Sequence, residues 1–495
     1  MAGIRSLAKD TAIYGISSIV GRFLNWCLVP LYTITFAPPE YGLVTLIYSV
    51  VALVLIILTY GMETGFFRFA NHERWSDPME VYSTSLISLG VTSSLFVVLM
   101  AIFLRPAAAA MECSAHPSFI MMMAVCVAID AFLAIPFSYL RYTKRPLRFA
   151  TLRLINIGLN IGLNLFFILL CPVIYRAAPA TISWFYDPSF GIGYIFLANL
   201  IASIANFVMM IPELRGFPWR FNRRLWSEML RYSAPLLVLG VAGVMNQTID
   251  KILYPHLAGA DAMDGLGIYG ANYKIAIVMV MFIQAFRFAY EPFIFARNKE
   301  SGNNRNQAYC DAMKYFVLCA LLLFMGVMFY LDFLRYFISP KYFSGLAVVP
   351  VVMMAELFFG IFFNLSLWYK LTDRTVWGMY FSLLGLAVTV VLNILLVPRF
   401  GYMGCAWAAF ASYGVMMVTS YFVGRAKYPI GYETGRILTY FAIAAVLYVI
   451  GMYCLTPWPL ANYIIRFFIL AGFVLVIIRR EHIPLPAPFS ALSRK

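Results

Sequence analysis

Apolar residues in this chain form long blocks of about twenty, separated by short polar stretches. A block of that length spans the ~30 Å hydrocarbon core of a bilayer as a helix, because a spanning segment has to satisfy its own backbone polar groups. The pattern therefore predicts an all-α polytopic membrane protein with about fourteen transmembrane helices. The expected spans are 11–34, 41–64, 83–104, 118–140, 151–173, 190–212, 232–254, 268–293, 312–332, 346–367, 376–397, 402–424, 436–455 and 461–478.

Composition agrees with this fold class. Of 495 residues, 62% are hydrophobic and only 12% are charged, whereas soluble proteins keep about a quarter of their residues charged. The first apolar run is too long for a cleavable signal and lacks a small-residue cleavage site, so we expect it to remain as a span. Most of the eight cysteines lie in apolar runs, without metal-ligand spacing or an obvious disulfide framework.

The net charge of +15 comes from Lys and Arg in every second loop, around residues 141–148, 215–224, 297–305, 425–427 and 479–495. This distribution is the positive-inside bias, and it predicts that both termini are cytoplasmic. Basic cytoplasmic loops also suit an anionic inner leaflet. The charge therefore indicates membrane topology, and no nucleic acid is expected as a partner.

The loop pattern predicts two lobes and two additional helices. We expect an N-lobe at 1–215, a basic cytoplasmic linker at 216–231, a C-lobe at 232–428, and the last two spans with a cytoplasmic tail at 429–495. Six spans in each lobe give both lobes the same orientation, so the repeat must be parallel, which is a transporter architecture. The sequence supports the repeat at one constant offset, which relates Thr143, Arg145 and Asn164 to Thr372, Arg374 and Asn393.

Loop lengths and motifs argue against catalysis. Membrane glycosyltransferases and polymerases usually need a sizeable outer loop for catalytic carboxylates, and the longest outer connection here is about seventeen residues, near 176–188. No phosphate-binding loop of the ATPase type occurs, and the four histidines form no ligand pair at helical spacing. We therefore expect no enzymatic activity, no cofactor and no metal site.

The stretch GRFLNWCLVPLYT, residues 21–33, places a positive charge inside the first span. Arg22 lies about eleven residues into that span, roughly 16 Å deep at 1.5 Å per residue. Such a placement costs about 2.5–3.5 kcal/mol on insertion scales, so a watery cavity or a partner is expected. One helix face carries Tyr14, Ser18, Arg22 and Asn25, and Pro30 should bend the helix. In the alternative interpretation the helix starts later and Arg22 snorkels to the inner surface.

The eighth span repeats this polar pattern on one face, with Tyr273, Gln284, Arg287 and Glu291. Arg287 and Glu291 are four residues apart, so mutual neutralisation is the alternative to a functional role. Lys274 lies on a different side of that helix, where pairing with Asp250 of the seventh span is expected.

Two acids lie mid-span in corresponding helices of the two lobes, Asp130 in the fourth and Glu356 in the tenth. Each is a candidate proton or sodium site, or a counter-ion to Arg22. Asn156, Asn160 and Asn164 form a ladder at four-residue steps on the fifth span. Asparagine often joins helices inside membranes, so packing is favoured over sugar contact for this ladder.

Three stretches resemble the polysaccharide transporter (Wzx-type oligosaccharide flippase) family of the multidrug/oligosaccharidyl-lipid/polysaccharide exporter (MOP) superfamily. They are PLYTITFAPPEYG at 30–42, GMETGFFRFA at 61–70 and FRFAYEPFIFA at 286–296. The likeness in helix count and loop pattern covers nearly the whole chain. It implies two six-helix lobes arranged as a V, followed by two extra helices.

The resemblance also implies a function. Members move an isoprenoid-pyrophosphate-linked oligosaccharide from the cytoplasmic to the outer leaflet by alternating access, for surface polysaccharides such as lipopolysaccharide O-antigen. The implied location is the bacterial inner membrane, and the implied partners are the lipid-linked substrate, membrane lipids, a polysaccharide polymerase and glycosyltransferases. In related lipid flippases, basic residues of the first and eighth helices meet the pyrophosphate. The expected cavity residues are Arg22, Asn25, Lys274, Gln284 and Arg287, and the expected ion-coupling residues are Asp130, Glu356 and Glu291.

Other functions remain open from the sequence. A multidrug exporter of the same superfamily predicts an acidic cavity, whereas arginines lie deep in the first and eighth spans. A peptidoglycan lipid II flippase shares the helix count. A membrane glycosyltransferase or polymerase would need the missing outer domain, and a purely structural scaffold would leave the deep charges unexplained.

Overall fold

The computed structural model describes residues 15, 19–71, 77–216, 218–297, 303–372, 374, 376–453 and 456–482, without side chains at 289, 291–297 and 303–305. Within these ranges, thirteen helices are long and apolar enough to cross a membrane, and one further apolar helix is shorter. The prediction of an all-α polytopic membrane protein is confirmed. The predicted start of the first span, with Tyr14 and Ser18, lies outside the described residues.

The fourteen helices are α1 (Ile19–Thr35), α2 (Pro38–Ala70), α3 (Pro78–Ile102), α4 (Pro117–Tyr142), α5 (Pro146–Ala177), α6 (Gly193–Leu214), α7 (Arg223–Leu257), α8 (Ala262–Arg297), α9 (Asn303–Phe329), α10 (Val348–Leu371), α11 (Val376–Phe400), α12 (Tyr402–Lys427), α13 (Thr434–Tyr453) and α14 (Pro459–Arg480). Several of them run well beyond the apolar spans predicted from the sequence.

Helix starts in this chain follow ordinary capping chemistry. Proline occupies the first turn of α2, α3, α4, α5 and α14, where its missing N–H costs no hydrogen bond. Asp77 caps α3 by accepting from the backbone N–H of Met79 at 2.9 Å. The helix α1 is interrupted at Cys27 and Leu28, just before Pro30, in agreement with the expected bend.

The chain divides into two compact units. The first unit comprises Met1–Lys274 and Gly378–Ala409, and the second comprises Ile275–Trp377 and Phe410–Lys495. The predicted boundaries at residues 215, 231 and 428 stay a prediction.

In the first unit, α4 packs against α2, α3 and α6. Phe66, Tyr82, Leu86, Ile135 and Met229 form one fully buried core cluster there. Close backbone contact joins α2 to the start of α8. A Cβ atom at Gly42 would overlap the carbonyl oxygen of Met263, and one at Gly267 would overlap that of Pro38.

In the second unit, α9 packs against α10, α13 and α14. Two buried cations attach α14 to this helix. Lys314 of α9 is 2.6 Å from Glu481, which directly follows α14. Arg466 of α14 donates to the carbonyl oxygen of Phe329 at 2.8 Å and to Asp332 at 3.2 Å.

Local hydrogen bonds repeat between the two halves of the sequence at the predicted offset. The Thr143 hydroxyl donates to the carbonyl oxygen of Tyr139 at 2.9 Å, and that of Thr372 donates to Trp368 at 2.8 Å. The side-chain amides of Asn164 and Asn393 each donate to the carbonyl four residues earlier, both at 2.8 Å. Other Thr and Asn side chains of this protein, such as Thr45 and Asn272, make the same local bond, so the internal repeat stays a prediction.

Candidate functional site: a charged cavity in the first unit

A cavity of about 670 Å³ lies among α1, α2, α4, α5, α6 and α7 of the first unit. We call it the charged cavity. Five charged side chains line it, together with three side-chain amides: Arg22, Glu63, Asp130, Arg141, Arg153, Asn25, Asn156 and Asn206. Three guanidinium groups face two carboxylates, so the formal charge of the lining is positive.

Arg141 and Glu63, which both belong to this lining, form an ion pair. The Arg141 guanidinium donates to the Glu63 carboxylate at 2.9 Å and to the Ser138 hydroxyl at 3.0 Å. It also lies 5.1 Å from the ring of Phe67. Arg141 stands in the last turn of α4. Glu63 lies in Met62–Ala70, the part of α2 that follows a break at Tyr60 and Gly61, so the pair joins these two helices.

Arg153 of α5 is held by aromatic rings. Its guanidinium carbon lies 4.2 Å from the centre of the Phe137 ring and 5.8 Å from that of Phe149. Within the described ranges, the guanidinium has no hydrogen-bond or ion-pair partner, and the side chain is exposed on the cavity. Because a guanidinium carries five N–H donors in a planar fork, Arg153 can bind an anion bidentately.

Asp130 of α4 is held by neutral groups. One carboxylate oxygen accepts from the Ser203 hydroxyl at 3.1 Å, and the other lies 3.9 Å from the Cys126 thiol. Among the described residues, Asp130 has no ion pair within 4 Å, although Arg153 lines the same cavity. The carboxylate of Asp130 and the guanidinium of Arg153 thus line one cavity without forming an ion pair with each other.

Side-chain amides on α5 divide between packing and the cavity. Asn160 donates to Asn199 at 2.9 Å and Asn164 accepts from Tyr32 at 2.9 Å, so these two join α5 to α6 and α1. The packing interpretation is confirmed for this pair. Asn156 lines the charged cavity instead, and its buried side-chain oxygen has no partner within the described ranges; the same holds for Asn206 of α6.

The structure brings together three of the residues expected from the sequence, since Arg22, Asn25 and Asp130 all line the charged cavity. Arg22 and Asn25 are exposed there. Lys274, also in the first unit, is half-buried, and its carbonyl oxygen accepts from the Trp26 indole at 2.7 Å.

The expected pair between Lys274 and Asp250 is wrong. Asp250 instead contacts its neighbour Lys251 at 3.1 Å and accepts from the Tyr269 hydroxyl at 2.7 Å. Lys251 sits above the Tyr273 ring at 4.3 Å. The adjacent cation and the tyrosine of α8 thus satisfy the buried carboxylate locally.

The other expected residues belong to the second unit. Arg287 lies over the Phe363 ring at 4.4 Å, and Lys370 lies over the same ring at 4.3 Å. Glu356 is 4% exposed, and Gln284 is half-buried. The side chain of Glu291 lies outside the described residues, so its expected neutralisation of Arg287 stays a prediction.

Sequence reasoning missed Arg153, Glu63 and Arg141 as cavity residues. Arg141 was assigned to the basic loop at 141–148, and neither Arg153 nor Glu63 was singled out. One pattern could have revealed Arg153. It shares a face of α5 with Asn156, Asn160 and Asn164, and a continuous polar face inside a spanning helix indicates a cavity or a partner.

The fold defines a multi-pass membrane protein, and its first unit holds a cavity whose lining carries a positive formal charge. Residues 7–296 match the family described as polysaccharide biosynthesis protein. The chain belongs to this family, and the resemblance to the polysaccharide transporters of the MOP superfamily is confirmed. A search of curated proteins found no match.

Solved structures share the fold over most of the chain. A lipid II flippase, MurJ, in an inward closed conformation is 15% identical with a TM-score of 0.71, covering 96% of this chain and 99% of that chain. An inward-facing multidrug resistance MATE family transporter of the MOP superfamily is 14% identical with a TM-score of 0.66, covering 82% of this chain and 94% of that chain. At these identities the likeness establishes the fold. With the family, it identifies a membrane transporter of the MOP type.

Proposed function

We propose that this protein translocates an isoprenoid-pyrophosphate-linked oligosaccharide from the cytoplasmic to the outer leaflet by alternating access. The observation that carries the proposal is the charged cavity, in which Arg153 has no ion-pair or hydrogen-bond partner among the described residues. A pyrophosphate cannot cross hydrocarbon bare, and guanidinium groups match its oxygens with planar donor forks. Arg22 and Arg153 are the proposed phosphate ligands in the first unit.

The remaining lining suits the other parts of such a substrate. Asn25, Asn156 and Asn206 offer amide groups to sugar hydroxyls, and the amide oxygens of Asn156 and Asn206 are without partners within the described ranges. The ring of Phe137, which also supports Arg153, gives an apolar surface. In the second unit, Arg287, with Gln284, is proposed to contact the substrate as well, and Lys274 of the first unit joins this set.

Topology and energy source complete the proposal. The loop charges support a place in the bacterial inner membrane with both termini cytoplasmic. A polymerase and glycosyltransferases that make or use the glycan are the proposed partners. Asp130, Glu356 and Glu291 are the proposed coupling acids, since a carboxylate inside a membrane protein can exchange a proton or bind sodium.

Two related functions make different chemical demands. A multidrug exporter for cationic drugs needs a net acidic cavity, but the charged cavity has three guanidinium groups against two carboxylates, one of which is occupied by Arg141. A solved lipid II flippase shares the fold. The family match to polysaccharide biosynthesis favours the oligosaccharide carrier.

The test is made in cells that produce the surface glycan. Deletion of the gene should abolish surface polysaccharide and leave the lipid-linked oligosaccharide protected from an impermeant glycosidase in spheroplasts. Peptidoglycan synthesis should continue, which separates this function from lipid II transport. Complementation with Arg22→Ala should fail despite normal accumulation in the membrane, whereas Arg22→Lys should restore part of the glycan. Normal surface glycan with Arg22→Ala would contradict the cavity role.

A further inference from the structure

The second unit contains a separate cavity of about 240 Å³, between the end of α10, the last turns of α12 and the connection to α13. We call it the Trp368 cavity. Its lining includes Trp368, Ser420, Gly424, Arg425 and Tyr432, and no Asp or Glu occurs among its described lining residues. Its volume is below the ~300–1,000 Å³ typical of sites for drug-sized ligands, so it fits a small chemical group.

Three buried polar atoms of this lining have no hydrogen-bond partner within the part of the chain that the structure describes. They are the indole nitrogen of Trp368 and the hydroxyl oxygens of Ser420 and Tyr432. Trp368 is 2% exposed and Ser420 is fully buried. Since buried polar groups nearly always have a partner, three such atoms around one cavity indicate a ligand.

The three unpartnered polar groups of this lining can all act as hydrogen-bond donors. An indole N–H can only donate, and both hydroxyls can donate. The exposed guanidinium of Arg425 adds a positive charge. Such a set suits a small anion with several acceptor oxygens.

Gly424 leaves room beside the indole. A Cβ atom there would lie 2.9 Å from both the Nε1 and the Cδ1 atoms of Trp368. Any side chain at this position would therefore cover the N–H group. The small residue keeps the donor of Trp368 next to the cavity.

We propose that the Trp368 cavity binds a phosphate group, through the indole N–H, the two hydroxyls and the Arg425 guanidinium. The phosphate is either the head group of an anionic membrane phospholipid or free phosphate from solution. Arg matches phosphate oxygens with two parallel N–H donors, and charge-assisted bonds of this kind are the stronger ones. This site lies outside the charged cavity and stands independently of the transport function proposed above.

The experiment uses the full-length purified protein. In one arm, inorganic phosphate is titrated against thermal unfolding, with chloride at matched ionic strength. In the other arm, native mass spectrometry counts phosphatidylglycerol retained after delipidation. Saturable stabilisation in the first arm identifies free phosphate, and one tightly retained lipid in the second identifies a head group. In Trp368→Phe and Arg425→Ala, the apparent affinity for phosphate, or the fraction of protein that retains the lipid, should fall at least tenfold.

The matched control is Lys427→Ala, which removes a positive charge from the same end of α12 but outside the cavity lining. It should keep the wild-type response. Ser420→Ala and Tyr432→Phe remove only hydroxyls, so they should fold and, without ligand, unfold at the same or a higher temperature. They should also lose most of the ligand response. No response in either arm, or an equal response in all variants, would overturn the proposal.

Discussion

Arg141 donates to Glu63 across 2.9 Å, and this pair occupies one of the two carboxylates that line the charged cavity. The other, Asp130, accepts from the Ser203 hydroxyl. Within the described ranges, Arg153 is left with aromatic rings as its only contacts of hydrogen-bond, ion-pair or ring type. The cavity thus balances one of its three arginines with an ion pair and keeps another available for an anion.

Substitution of Arg153 should strongly reduce transport without loss of the protein. A charge-assisted hydrogen bond contributes about 1.5–3 kcal/mol, so removal of the guanidinium in Arg153→Ala should lower the rate by roughly 10- to 100-fold. Arg153→Lys should retain part of the activity, because it keeps the charge but not the planar fork. The measurement is surface glycan per molecule of membrane-inserted protein.

Arg145→Ala provides the control for this change. Arg145 lies eight residues earlier, just before α5; its side chain is exposed and is absent from the cavity lining. Its loss removes the same charge from the same region of sequence. Equal loss of transport in both variants would indicate an effect on membrane topology instead of substrate binding.

Asp130→Asn should change how transport depends on pH. The carboxylate shares the charged cavity with three arginines, so its protonation alters the net charge that a substrate meets. An amide cannot titrate, and we expect a flatter pH profile of transport in proteoliposomes. Glu356→Gln tests the buried acid of the second unit in the same assay. Superimposable pH and sodium profiles for wild type and either variant would remove that residue as a coupling site.

Two asparagines one helical turn apart on α5 should behave differently. Asn160→Ala breaks the 2.9 Å bond to Asn199 and should cost about 0.6–1.7 kcal/mol of stability, the range for polar contacts inside membranes. Asn156→Ala removes an amide without a partner among the described residues and should leave stability unchanged while transport falls several-fold. Thermal unfolding in detergent and glycan export give the two measurements. A stability loss at Asn156 equal to that at Asn160 would argue against its cavity role.

Glu481→Gln should destabilise the attachment of α14. The carboxylate contacts Lys314 at 2.6 Å, and both side chains are buried. Removing one partner of a buried ion pair typically costs about 3–5 kcal/mol. Because Asp311 also contacts Lys314 at 3.1 Å, we expect a smaller loss here, about 1–3 kcal/mol. Thermal unfolding of wild type and Glu481→Gln at neutral pH measures this loss of stability.

The same pair predicts a pH dependence. Burial alone raises the pKa of Glu481, but hydrogen bonds from Lys314 and Tyr440 and the charge of Lys314 outweigh it, so the pKa lies below its ordinary value of 4.5. The ionised carboxylate therefore stabilises the fold above pH 4.5, and this contribution is lost as the pH falls through the lower folded-state pKa. The difference between wild type and Glu481→Gln should be full at neutral pH and shrink in acid. A constant difference across that range would contradict the assignment.

Much of the fold follows from apolar blocks, because each one long enough to span a bilayer has only a helix available to it. The helix ends were harder to predict. The helix α7 begins at Arg223, nine residues before the apolar run at 232, since its first turns are polar and held by the Asn222 cap. Hydropathy records where a helix is apolar, and capping decides where it starts.

Parts of the site were predictable for a related reason. Arg22 required a cavity because a charge deep in hydrocarbon is costly. Arg153 lies close enough to a basic loop to be taken for a surface residue, and its cavity position depends on the packing of α4 against α5. Likewise, the pairing of Asp250 with Lys251 depends on side-chain directions that spacing alone does not give. The sequence lacked two kinds of information: the packing between helices and the direction of each side chain.

The crossing of α2 with the start of α8 limits how this protein can change over generations. At Gly42 and Gly267 even one additional carbon would overlap a carbonyl oxygen of the facing helix. Neither clash can be relieved by turning a side chain, since backbone meets backbone. A library with both codons randomised should therefore return glycine at both positions among the clones that still produce surface glycan. These two glycines would then identify chains with the working fold more reliably than the charges of the cavity.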